Sequence, residues 1–174
     1  MTKRDPRVVH FHVLVCFSTI GLRYFNVFGP RQAPNGAYAA VIPKWFSALR
    51  NGEPAYINGD GKTSRDFCYV DNAIQANILA ATTENPEALN QVYNIAFGQR
   101  TTLNALFQMI KDVVIETRPE AENSHPTYRD FRAGDVRHSL ADISKAKNLL
   151  SYDPQFSVDQ GLKVASQWYA RAFS

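Results

Sequence analysis

The sequence predicts an α/β fold with an incomplete parallel sheet. Three observations lead there. The apolar residues Thr19, Ile20, Gly21 and Leu22 read as a short buried strand that must end at Asn26, because Gly29 and Pro30 cannot continue it. Two further strand patterns, at 65–70 (RDFCYV) and 91–97 (QVYNIAF), are each followed by a helical stretch. The strands are too few and too scattered for a complete doubly wound sheet. A strand that stops at an amide and opens into a Gly-Pro loop puts that amide at a sheet rim, where open α/β folds bind ligands.

Each element has a local cause. Residues 43–50 (PKWFSALR) have helical spacing, with Pro43 in the first turn and Asn51-Gly52 as the stop. Residues 55–57 form a short strand closed by the turn signal Asn58-Gly59-Asp60-Gly61. After 65–70, Asp71 is placed as the N-cap of a helix reaching about Thr83. Gly98 closes the 91–97 strand. Thr102 then caps an amphipathic helix with Leu103, Leu106, Phe107, Ile110, Val113 and Val114 on one face. The polar, proline-containing stretch 116–127 reads as a loop, Asp142 as the start of a helix, and 158–173 as the last helix.

Composition narrows the function classes. With 174 residues, 45% hydrophobic and 20% charged, the chain suits one domain with a substantial core. A net charge of +3 comes without any Lys/Arg run longer than two residues, which excludes nucleic acid as the expected partner. Cys16 and Cys68 have no metal-ligand spacing, so two reduced thiols in a cytoplasmic protein are expected. His10, His12, His125 and His138 assemble neither a zinc site nor an acyl-transfer triad, and no metal is expected.

The N-terminus stands apart. Lys3, Arg4 and Arg7 precede the apolar run 8–17 (VVHFHVLVCF), but two histidines interrupt it and no small-x-small cleavage site comes after it. The run is also too short to span a membrane. Residues 1–18 are expected to be unrelated to the rest of the chain, as in a truncated or frame-disrupted gene, and 19–174 to form the functional part.

Two arginines carry the first chemical hint. Arg65 follows the glycine turn in T-S-R-D-F, and Arg132 stands in F-R-A-G-D. Guanidinium forks at loop edges suit a diphosphate, each charge-assisted bond contributing roughly 1.5–3 kcal/mol. Surface pairing with Asp66 and Asp135 explains the same residues without any ligand.

The segments RYFNVFGPRQ (23–32), GDGKTSRDFCYVDN (59–72) and GDVRHSLAD (134–142) closely resemble the extended short-chain dehydrogenase/reductase family. Among its NAD-dependent epimerases and dehydratases, they resemble most the UDP-N-acetylglucosamine 4-epimerases of surface-polysaccharide synthesis. The resemblance runs from Thr19 to Ser174. It implies an incomplete NAD(P)-binding Rossmann-type fold, mainly the C-terminal substrate-binding lobe. It implies diphosphate contacts at Arg65 and Arg132, a ribose contact at Asp135, and a uracil pocket at Tyr56 and Asn58. The loop 34–41, ending at Val41, would run past the nucleotide. Asn26 would reach the sugar diphosphate, Gln32 would lie near the hexose, and Tyr24 and Phe25 beside the nicotinamide ribose. Ser139 would face the hexose C2 substituent, where hexose-restricted relatives carry a bulky Tyr.

Such enzymes oxidise the C4 hydroxyl with bound NAD and return the hydride to the other face, using the Tyr of a Tyr-x-x-x-Lys motif as base. The 174 residues contain neither that motif nor a G-x-G-x-x-G turn. No catalytic residue is therefore expected in this chain, and no NAD on this chain alone. The expectation is a UDP-N-acetylhexosamine-binding part, without a membrane partner and prone to self-association. A part of a related nucleotide-sugar dehydratase or reductase, and a non-catalytic binding remnant, remain as other readings.

Overall fold

The computed structural model describes residues 17–33, 35 and 40–172. In chain order the strands are β1 (Ile20–Tyr24), β2 (Val27–Phe28), β3 (Tyr56–Asn58), β4 (Ser64–Asp66), β5 (Cys68–Tyr69), β6 (Gln91–Ile95), β7 (Arg100–Thr102) and β8 (Thr127–Arg129). The helices are α1 (Val41–Asn51), α2 (Val70–Thr82), α3 (Leu103–Ile115), α4 (Ser144–Leu150) and α5 (Val158–Ala172). The strands associate as pairs: β1–β6, β2–β5 and β3–β8 parallel, and β4–β7 antiparallel. This is an α/β, partly Rossmann-like arrangement, as the alternation of elements predicts. The expectation of an unrelated segment at 1–18 falls almost wholly outside the described residues.

Several elements form for the reasons their sequences give. α1 stops at Gly52, whose φ of 68° is left-handed and whose N–H returns to the Ala48 carbonyl. Thr102 caps α3, its hydroxyl accepting from the Ala105 N–H at 3.2 Å. The α3 stripe Leu106, Phe107, Ile110, Val113 and Val114 is buried.

Others differ. β1 ends before Asn26 because Asn26 has a φ of 36°, a left-handed conformation that Asn tolerates. Gly29-Pro30 does not end it; the chain forms β2 first. α2 begins at Val70 with Tyr69 as its extended N-cap, so Asp71 is not the cap but an acid in the first turn, facing the helix dipole. The stretch 116–127 contains a 3₁₀ turn at Pro119–Asn123, and β8 starts at Thr127. Asp142 precedes α4 by two residues and accepts from the Ser144 N–H at 2.9 Å.

Two apolar cores result. One joins α1, α3 and α5 through Ile42, Phe46, Leu106, Ile110, Leu162 and Tyr169, all fully buried. Tyr169 donates to the Gly29 carbonyl at 2.7 Å, tying α5 to the turn after β2. The other core joins β6, α2 and α4 through Tyr93, Ile95, Ala76, Ala146 and Tyr152. Cys68 lies in it as a free thiol that burial pushes up to about 11. No described helix is long and apolar enough to cross a membrane.

Candidate functional site

β3 sets one wall of a cleft. Period-two alternation buries Ile57 and turns Tyr56 and Asn58 outward together. Trp45 of α1 donates its indole N–H to the Tyr56 carbonyl at 3.0 Å, fixing the strand against the helix. Gly59 and Gly61, at φ of 78° and 71°, then turn the chain into β4, a conformation that side chains disfavour. Asp60 in this turn binds Arg137 at 2.6 Å. That guanidinium, with the Lys62 N–H, holds the Asp60 carboxyl down at about 2.

β4 holds the opposite wall. The Ser64 carbonyl accepts from the Ser139 N–H (3.1 Å), and the Ser64 N–H donates to the Arg137 carbonyl (3.0 Å). Its hydroxyl lies 2.9 Å from His138 Nδ1. Asp66 is fully buried and accepts from the Phe97 and Gly98 N–H groups near 3.2 Å and from the Ala141 N–H at 3.3 Å. Residues 137–141 are thereby strapped to β4. Between the two anchors Arg65 faces the cleft and forms an ion pair with Asp135.

Seven of the nine residues expected to bind substrate meet here. A cavity of about 210 Å³ is lined by Asn26, Val41, Tyr56, Asn58, Arg65 and Asp135. An adjoining cavity of about 390 Å³ shares Val41, Tyr56 and Asn58 and adds Lys44, Arg129 and Arg132. Asn26 Nδ2 donates to the Asp66 carbonyl at 2.9 Å, which seats the amide at the cleft rim. Arg132 and Lys44 have no carboxylate partner among the described residues. The surface pairing that explains the arginines without a ligand is therefore half right: Arg65 is paired, but with Asp135, while Arg132 is not.

The other expected residues lie apart. Gln32 donates from Nε2 to the Val27 carbonyl at 3.2 Å, and its Oε1 is buried with no hydrogen-bond partner among the described residues. Ser139 is half-buried on the strap, outside both cavities. Of the loop 34–41, only residues 35, 40 and 41 are described.

Tyr24 and Phe25, expected beside the nicotinamide ribose, stand at and just past the end of β1. Phe25 packs into the second core, and Tyr24, 47% exposed, donates its hydroxyl to Asn77 Oδ1 at 2.9 Å. Gly29, just beyond β2, packs against Val70, whose side chain fills the space a Cβ there would need. Among the described residues no group of three or more His, Cys, Asp or Glu is placed to hold a metal.

Sequence reasoning missed Asp66, Trp45, Lys44 and Arg129. Asp66 was legible in principle: alternation along R-D-F puts it on the face opposite Arg65, toward the core. Nothing in the sequence marks Arg129, whose role depends on β8 pairing with β3.

Residues 10–96 match the NAD dependent epimerase/dehydratase family. The structure is similar to UDP-glucose 4-epimerase from Thermotoga maritima with UDP-glucose (34% identity, TM-score 0.87), covering 97% of this chain and 51% of that one. It is similar to UDP-N-acetylglucosamine 4-epimerase from Methanobrevibacter ruminantium with UDP-N-acetylmuramic acid (41%, TM-score 0.85; 96% and 51%). UDP-glucuronic acid 4-epimerase from Bacillus cereus, with UDP-glucuronic acid and NAD, is similar at 26% and TM-score 0.80, over 94% and 49%. The chain spans about half the length of the curated relatives it matches, between 39% and 48%.

Proposed function

Since the chain belongs to the NAD-dependent epimerase/dehydratase family, we propose that it is the UDP-sugar-binding part of a 4-epimerase fold. UDP-N-acetylhexosamine is its ligand, in the cytoplasmic synthesis of surface-polysaccharide precursors. The observation that carries this reading is the convergence of Tyr56, Asn58, Arg65, Asp135 and Arg132 on one cleft. An aromatic and an amide side by side suit a pyrimidine, which offers a face to stack and edges to hydrogen-bond. Arg132, with no carboxylate partner among the described residues, suits the diphosphate; the Arg65–Asp135 pair supplies a fixed cation and an acceptor for ribose hydroxyls.

Two further features support a sugar beyond the diphosphate. Gln32 Oε1, buried with no hydrogen-bond partner among the described residues, is an acceptor that a hexose hydroxyl would satisfy, and such an unmet acceptor costs about 1–3 kcal/mol. Ser139 follows Asp135 along the strap and is small enough to leave room for an N-acetyl group. Hydride transfer is assigned outside these 174 residues, which hold neither Tyr-x-x-x-Lys nor a glycine-rich turn. The chain is thus a binding element without its own redox chemistry.

Calorimetric titration of the purified chain with UDP-N-acetylglucosamine, followed by an epimerase assay with added NAD, tests this. Saturable binding without turnover is expected. Absence of binding removes the reading, and turnover by the chain alone removes its non-catalytic half.

A further inference from the structure

Resting on the nucleotide reading above, we propose that Arg129 occupies the nucleobase slot when no ligand is bound, so that the site is closed by its own side chain. The Arg129 guanidinium carbon lies 3.1 Å from the centroid of the Tyr56 ring. A ring stacked on Tyr56 needs about 3.5 Å of separation for itself, so a base and this guanidinium cannot share that face. The contact lies inside the larger cavity, beside Asn58 and Arg132, where a pyrimidine has its aromatic face and its amide.

The backbone of Arg129 is fixed while its side chain is not. In the β3–β8 pairing Arg129 stands opposite Asn58, and its carbonyl accepts from the Gly59 N–H at 2.8 Å. No carboxylate holds its guanidinium among the described residues. Arg137 shows the contrast: its guanidinium is held by Asp60 at 2.6 Å and only approaches the Phe131 ring, at 5.2 Å. Arg129 is exposed and held chiefly by the ring it covers.

An exposed cation–ring contact is weaker than the stacking of a nucleic-acid base on an aromatic side chain, so exchange favours the base. The released guanidinium swings on its fixed Cα toward the side where Lys44 and Arg132 await the diphosphate. Arg129 therefore opposes binding of the base and favours binding of the phosphates. A neutral nucleoside meets only the opposition.

The test uses uridine and UDP against the chain and its Arg129→Ala and Arg129→Lys variants, by ligand-observed NMR titration. Arg129→Ala is expected to tighten uridine binding about two- to fivefold, the factor corresponding to one exposed cation–ring contact. Arg129→Lys, which keeps the charge but loses the flat guanidinium, should tighten it less. Tyr56→Leu in the Arg129→Ala background should abolish the gain. The UDP-to-uridine affinity ratio should fall in Arg129→Ala. Unchanged or weaker uridine binding in both Arg129 variants, with UDP still bound by the parent chain, overturns this proposal and leaves the UDP-sugar reading standing. A parent chain that binds neither ligand overturns both.

Discussion

The region around β3, β4, α1 and α3 and the region around β1, β6, α2 and α4 both bury apolar side chains, yet among the described residues the first is covered more completely. In the first, Ile57, Leu106, Ile110 and Val114 are inaccessible, and much of the exposed aromatic surface, Tyr56 and Tyr128, lies at or beside the cleft. In the second, β6 buries Tyr93 and Ile95 completely, but its partner β1 buries none of its five residues completely. Among the described residues β1 pairs only with β6. On α2, Ile74 and Ile78 are 49% and 58% exposed. Parallel strands ordinarily have both faces covered. The candidate cleft thus lies in the more fully covered region, whereas among the described residues the parallel pair keeps apolar side chains partly exposed.

The clasp between the regions is Asp66, on β4 of the first, which holds Phe97 and Gly98 just past β6 of the second. Asp66→Ala leaves the buried Ala141 N–H and the partly buried Phe97 and Gly98 N–H groups without this acceptor; at about 1–3 kcal/mol for a fully buried donor, a loss of about 3 kcal/mol is expected in urea unfolding. A loss below about 1 kcal/mol would mean that the regions hold together without it. The pH dependence has a definite sign. Burial raises the Asp66 carboxyl above its ordinary 3.8, so the native state takes up this proton more readily than the unfolded chain. Its contribution to stability is full below the ordinary value and is lost as pH rises through the raised one. Asp66→Asn should remove that slope.

The next largest effect belongs to the cleft alone. Arg132→Ala should weaken UDP and UDP-sugars equally, by roughly 1.5–3 kcal/mol, about ten- to a hundredfold. Arg132→Lys should recover only part, because an ammonium lacks the paired donors of the fork. Unfolding midpoints should not move, and a shift would mean that Arg132 is structural. Ser139→Tyr should lower affinity for UDP-N-acetylglucosamine relative to UDP-glucose by about 1–3 kcal/mol, the usual scale for pocket shape. An unchanged ratio would remove Ser139 from sugar selection.

The smallest change in stability, within about 0.5 kcal/mol, is expected for Ile74→Lys with Ile78→Lys on the open face of α2. Light scattering should show self-association in the parent chain and its suppression in the double variant. A parent chain that stays monomeric would mean that this face needs no cover.

Much of this division was legible in the sequence because its causes are local. The Gly52 stop, the Thr102 cap and the α3 stripe depend on neighbours within a few residues. The convergence of Arg65, Arg132, Tyr56 and Asn58 came from resemblance to a family, since spacing alone leaves the arginines as surface pairs. Three features were missed. Asp71 failed as a cap because β5 runs into α2 without a turn, placing the cap at Tyr69, two residues earlier. Asp66 reads as a surface partner in sequence because the N–H groups it binds lie 31 to 75 residues away. Arg129 became visible only through the register of β8 on β3.

Hydrogen–deuterium exchange of the chain with and without saturating UDP tests the central division most directly. UDP should slow exchange at the start of α1, in β3 and β4, and along residues 129–141, and should leave β1 and α2 unchanged. Protection centred on β1 and α2, or no protection at β3 and the strap, would contradict the placement of the nucleotide site in the first region.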